Sequence, residues 1–158
     1  MTLRTSLALA FAAFSLAACQ RHIDATKVEH SIQTELQGKG VDLRSLKCPK
    51  NEPIKQGATF DCEAVDAQGQ TLVIHVDQSD QRGTISWKLD GMIIDTKKVG
   101  DSIEQKVGAS SDVQCSGGTR ILRVNESFEC DATIAGRPHK VSITLTDKEG
   151  SVSWKVVK

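Results

Sequence analysis

Tyrosine is absent from this sequence, and aromatic residues make up only 4% of its 158 positions. Stacking platforms for sugars or unpaired bases need several exposed rings, so their scarcity disfavours both classes of ligand. Cations and anions balance at 20 each, with no basic stripe of the kind that nucleic acid or anionic lipid selects. Metal-binding spacings are missing too. No C-x-x-C pair occurs, which argues against a zinc site. His22, His30, His75 and His139 form no H-x-H or H-E-x-x-H and read as surface residues. There is no G-x-S-x-G elbow, and Gly117-Gly118 lacks the Lys-Ser/Thr that a phosphate cradle needs. These absences leave no cofactor, no metal and no catalytic set to expect.

What is present is one stretch written twice. The first copy runs from Lys47-Cys48-Pro49 through Gly57-Ala58-Thr59-Phe60-Asp61-Cys62 to Gly83-Thr84-Ile85-Ser86-Trp87-Lys88. The second runs from Gln114-Cys115-Ser116 through Asn125-Glu126-Ser127-Phe128-Glu129-Cys130 to Gly150-Ser151-Val152-Ser153-Trp154-Lys155. Four cysteines allow three pairings, and the repeat singles out Cys48–Cys62 with Cys115–Cys130. Small units have little core to spare, and closing a loop of roughly 15 residues is worth about 3 kcal/mol in the chain-entropy model.

Periodicity predicts an α+β fold of two tandem units, 24–90 and 91–158. Each is one helix packed on a four-stranded antiparallel meander with one internal disulfide. In the first, Asp24 is a helix N-cap, and Val28, Ile32 and Leu36 recur on one face until Gly38 and Gly40 stop the helix. Val41 to Cys48 reads as the first strand and Pro49 to Lys55 as a loop. Phe60, Cys62 and Ala64, then Leu72, Ile74 and Val76, then Ile85, Trp87 and Leu89 alternate inward on the next three. In the second, Asp95 caps a weaker helix with Val99, Ile103 and Val107 on its apolar face. Gly100 inside it costs about 1 kcal/mol relative to alanine. Val113 and Cys115 match Leu46 and Cys48. Leu122 matches Ile54, and Asn125 matches Gly57, since both tolerate the left-handed region. Val141, Ile143 and Leu145 form the third strand, and Val152, Trp154 and Val156 face inward on the last. The link from Asp90 to Ile94 is too short and apolar to be a floppy tether, so the units are expected to touch. Trp87 and Trp154 read as core residues. Asp61 and Glu129, beside the second cysteine of each unit, read as solvated strand positions.

The N-terminus carries an address. Arg4 precedes an apolar run from Leu7 to Ala18 that is too short to span a bilayer. The run closes on Leu16-Ala17-Ala18-Cys19, which resembles the bacterial lipoprotein signal box. That resemblance implies removal of residues 1–18, lipidation of Cys19, a short tether over 19–23 and membrane attachment through the lipid. Gln20, where such proteins retained at the inner membrane carry Asp, implies the outer membrane facing the periplasm. With Cys19 lipidated, the other four cysteines are even in number and exported to a compartment where disulfides persist.

Helix first, then Cys-Pro, a Gly-x-x-Phe-x-Cys strand and a closing Gly-x-β-x-aromatic strand, this unit resembles the domain of unknown function 4333 family. These are small bacterial envelope domains often carried on lipoproteins. The first unit matches through Cys48-Pro49, Gly57, Phe60, Cys62, Gly69 and Gly83. The second matches through Phe128, Cys130 and Gly150, with Ser116 in place of the proline and Asn125 in place of the glycine. These motifs are structural, and the family carries no assigned chemistry. The expected function is a non-catalytic, lipid-anchored accessory or binding module with an envelope protein as possible partner and no nucleic acid. The alternative is an inhibitor or immunity lipoprotein of an envelope enzyme, since tandem helix-plus-sheet units with internal disulfides resemble the architecture of the β-lactamase inhibitor protein. The loops best able to reach a partner are those of Asn51-Glu52 and Gly117-Gly118.

Overall fold

A computed structural model describes residues 21–108 and 110–157; the signal segment 1–18 and Cys19 lie outside the described residues. The chain is a mixed α+β fold with two helices, antiparallel sheets and two disulfides.

Helix α1 (Ala25–Gly38) starts where Asp24 accepts a hydrogen bond from the Lys27 amide, satisfying one of the donors every helix start leaves free. Val28, Ile32 and Leu36 are all buried, the last two completely. Each such side chain contributes about 1.5–3 kcal/mol. Strands β1 (Leu43–Lys47), β2 (Thr59–Asp66), β3 (Thr71–Gln78) and β4 (Ile85–Leu89) follow in sheet order β1-β2-β3-β4, the expected meander. The first strand is shorter than Val41 to Cys48. Its pairing with β2 is irregular between Leu43 and Ser45, although Val41 and Cys48 are still buried beside it.

The second half follows the plan only in part. Helix α2 (Thr96–Val107) is capped by Asp95, whose side chain accepts from the Lys98 amide. Its inward face is Thr96, Gly100 and Ile103, whereas Val99 and Val107 are only partly buried. Gly100 sets this rotation. A Cβ there would stand 3.0 Å from the Val113 carbonyl oxygen and 3.4 Å from Cys115 Sγ, so glycine is what lets the helix lie against the strand beside it. Strands β6 (Ser111–Gln114), β8 (Ser127–Ile134), β9 (Arg137–Leu145) and β10 (Val152–Val157) form one sheet in the order β10-β9-β8-β6. Val156, expected inward, is instead 46% exposed near the end of an edge strand.

The element that the sequence reading missed is a ladder between β5 (Met92–Asp95) and β7 (Thr119–Leu122), with four residue pairs from Met92↔Leu122 to Asp95↔Thr119. The link between the units is therefore a strand. Ile121, in the second half by sequence, belongs to the core of the first half, and Ile94 and Leu122 belong to the core of the second. The first half has the same device in shorter form. The Ile23 amide donates to the Glu52 carbonyl at 2.8 Å and the Ile54 amide to the Arg21 carbonyl at 2.9 Å, around a His22↔Pro53 bridge. Ile23 is buried in the first core, so part of the stretch read as tether belongs to the folded unit.

Cys48–Cys62 and Cys115–Cys130 form as the repeat predicts, closing separations of 14 and 15 residues. Gly57 and Asn125 both take the left-handed conformation, at φ 77° and 72°. Three turns share a further pattern, Asp-x-x-Gly-x. Oδ1 of Asp66 accepts from the amides of Gln68 and Gln70, Oδ1 of Asp80 from those of Arg82 and Thr84, and Oδ1 of Asp147 from those of Glu149 and Ser151. The intervening Gly69, Gly83 and Gly150 sit at φ 88°, 89° and 94°, a region closed to most side chains. An aspartate at the turn entry competes with water for the amides that a reversing chain exposes.

Candidate functional site

The two loops singled out from sequence occupy equivalent places, each folded onto the segment that leads into a helix. Asn51 is exposed at φ 66°, and Glu52 accepts the Ile23 amide through its backbone carbonyl. The Gly118 carbonyl accepts from both the amide and the hydroxyl of fully buried Thr96, the first residue of α2. The Gly117 carbonyl accepts from Gln68 Nε2 at 3.4 Å. Gly117 and Gly118 line a small hollow of about 170 Å³ with Gly40, Asp42 and Gln68. The two loops are docked by their backbones, and the fold does not bring them together into one site.

Trp87 and Trp154 are partly buried, packed against the first and second cores respectively. Lys39 at the end of α1 holds its ammonium 5.3 Å from the centre of the Trp87 ring, within cation–π distance. On the outer face of the first sheet, His75 Nδ1 stands 2.7 Å from Asp61 Oδ1, with both side chains more than half exposed. Glu129, the counterpart of Asp61, lies opposite Ser142, so the histidine–carboxylate pair is not repeated.

A larger cleft of about 590 Å³ opens where the two halves meet. Its floor is apolar, formed by Leu89 and Met92 from one side and Leu122, Val124 and Leu145 from the other. Asp90 and Arg123 close one wall. Arg123 Nε donates to Asp90 Oδ2 at 2.9 Å, and its Nη1 lies 3.4 Å from Glu126 Oε1. The hydrogen bond to Asp90 foremost, with Glu126 assisting, holds the guanidinium pKa above its ordinary value. His75, Lys88 and Lys148 complete the rim. None of this was legible as a motif, since the floor joins residues from β4 to β9 and only the fold assembles them. The one signal was the apolar run Met92-Ile93-Ile94 in a supposed linker.

Among the described residues no group of three or more His, Cys, Asp or Glu is placed to hold a metal ion, and no helix is long and apolar enough to cross a membrane. No curated protein and no solved structure matches the chain. The profile of the family described as a domain of unknown function, DUF4333, matches residues 7–83 and again residues 86–150. The first match ends in the turn before β4 and the second begins inside that strand, ahead of the corner where β4 gives way to β5. The chain therefore belongs to the DUF4333 family and carries two copies of its domain in tandem.

Proposed function

We propose that this chain is a non-catalytic, lipid-anchored protein of the bacterial cell envelope, attached through Cys19 to the outer membrane on its periplasmic side and serving as an accessory or binding module. Supporting the anchor, the four cysteines of the folded part are consumed in pairs. That leaves Cys19, directly after Leu16-Ala17-Ala18, as the odd one of five. The first family match also begins at Leu7, inside the apolar run that leads to it.

The observation that carries the binding role is the cleft walled by both halves. A scaffold in which the second half lends Ile121, from the β5–β7 ladder, to the core of the first presents a preformed concavity, and preformed apolar concavities with a few polar groups are where ligands bind. We read the halves as two copies of one plan, helix on a four-stranded antiparallel sheet. The β5–β7 ladder is then the extended counterpart of the His22–Pro53 bridge.

The test is in-cell crosslinking of the lipidated protein, followed by mass spectrometry of what is recovered with it. Recovery with envelope components that are not inhibited by it supports the accessory reading. Recovery with a single hydrolase in near-equal amount, and loss of that hydrolase's activity, would replace it with the inhibitor reading.

A further inference from the structure

The cleft between the halves has a chemistry that narrows what it could hold. Its floor is hydrocarbon from Leu89, Met92, Leu122, Val124 and Leu145. Its rim is cationic in excess. The single acid lining it, Asp90, is already paired with Arg123, whereas Lys88 and Lys148 are exposed and take part in none of the salt bridges among the described residues. His75 has its Nδ1 engaged by Asp61, which leaves Nε2 as the ring's remaining polar atom. Lys88 comes from the first half and Lys148 from the second, so neither half alone presents the rim.

Several main-chain groups around the floor are already engaged. β5 is paired with β7. The Asp90 amide is bonded to the Val73 carbonyl, the Gly91 amide to the Leu89 carbonyl, and the Leu145 carbonyl accepts from the Asn125 amide. Strand addition depends on unpaired main-chain groups; these ones are taken, although β4, β5 and β7 are each paired on one side. Side chains face the cleft instead. Its volume, about 590 Å³, falls within the roughly 300–1,000 Å³ of small-molecule sites.

We propose that this cleft binds a small anionic amphiphile, an apolar chain ending in one carboxylate or phosphate, with the chain over the Leu89–Met92–Leu122–Leu145 floor and the head at the Lys88, Lys148 and His75 rim. Charge-assisted hydrogen bonds from lysine favour such a head, and burial of the chain supplies the larger share of affinity. This rests on the binding-module reading above and names the ligand class for it.

The probes are decanoate and decyl phosphate, used below their micelle-forming concentrations, against decyltrimethylammonium and methyl decanoate. They are titrated calorimetrically into the exported full chain carrying Cys19→Ser, so that the protein's own acyl groups cannot fill the cleft. Saturable binding of one or both anions is expected, at least tenfold tighter than either control; which head binds tighter separates a fatty-acid source from a phospholipid-derived one. The double variant Lys88→Glu/Lys148→Glu, changed at exposed positions, should weaken anion binding at least tenfold with an unchanged Tm. Met92→Gln should weaken it through the floor with both lysines intact. Equal binding of the cationic amphiphile, affinity within twofold of wild type in the charge-reversed protein, no saturable binding, or saturation only by an acidic apolar peptide would each overturn the proposal. Fatty-acid labelling of Cys19 in cells reports on the anchor separately, so either reading can fail without the other.

Discussion

Gly91 lies directly against Ile121. A Cβ on Gly91 would stand 2.7 Å from Ile121 Cγ2 and 3.2 Å from the Leu122 carbonyl oxygen, and its φ of 146° is one that other residues rarely adopt. Ile121 is in turn 1% exposed, inside the core of the first half. The corner between β4 and β5 therefore works only if the chain at residue 91 has no side chain.

Gly91→Ala should destabilise the protein by roughly 1–3 kcal/mol from backbone strain alone, with the contact to Ile121 adding to it. Gly38→Ala is the contrast. Nothing lies within 4 Å of a Cβ there and the position is helical, so a gain of about 0.5–1 kcal/mol is expected. Urea unfolding of the two variants beside wild type checks both signs; equal effects would contradict the close packing at the corner.

Removing the first disulfide with Cys48→Ala/Cys62→Ala should cost about 3 kcal/mol through the freed unfolded chain. Loss of the Cys62 sulfur adds to this, since that side chain is fully buried in the first core. Chemical reduction of wild type should produce a comparable loss. A variant as stable as wild type would mean that the helix and sheet hold together without the crosslink.

The turn aspartates make an acid-range prediction. Hydrogen bonds from Thr84 to Asp80, and from Ser151 to Asp147, hold both carboxyls below the ordinary aspartate value. A depressed folded pKa contributes stability that is complete above the unfolded value, about 3.9, and is lost as pH falls through the lower folded value. Wild type should therefore exceed Asp80→Ala by a constant margin above about pH 5, and the margin should shrink steadily below pH 4. Stability curves measured from pH 2 to pH 7 decide it; a margin independent of pH would show that the carboxylate's charge plays no part in the turn.

Much of this fold was legible in the sequence because it is local and periodic. Val28, Ile32 and Leu36 announced α1, and the alternation of Phe60, Cys62 and Ala64 with Leu72, Ile74 and Val76 gave two strands whose inward residues are all buried. The repeat gave both disulfides. What was not legible is non-local. Thr119-Arg120-Ile121-Leu122 has no alternation to mark a strand, because Ile121 and Leu122 are both buried, in different cores. Gly100 read as a weakness of α2, since its value lies in the distance to Val113 rather than in helix propensity. Of the candidate site, the loop residues were named because their loops are best able to reach a partner, and the fold spends the Glu52 and Gly118 carbonyls on anchoring the helix entries. The cleft escaped notice because its floor comes from four separate strands and loops.

The most direct test of the proposed role is the mass of the N-terminal peptide of the protein extracted from the cell envelope. A chain that begins at Cys19, lacks residues 1–18 and carries diacylglycerol and acyl groups on that cysteine is the expected result. A soluble chain cleaved elsewhere with an unmodified Cys19, or one that retains residues 1–18, would contradict the lipid-anchored reading.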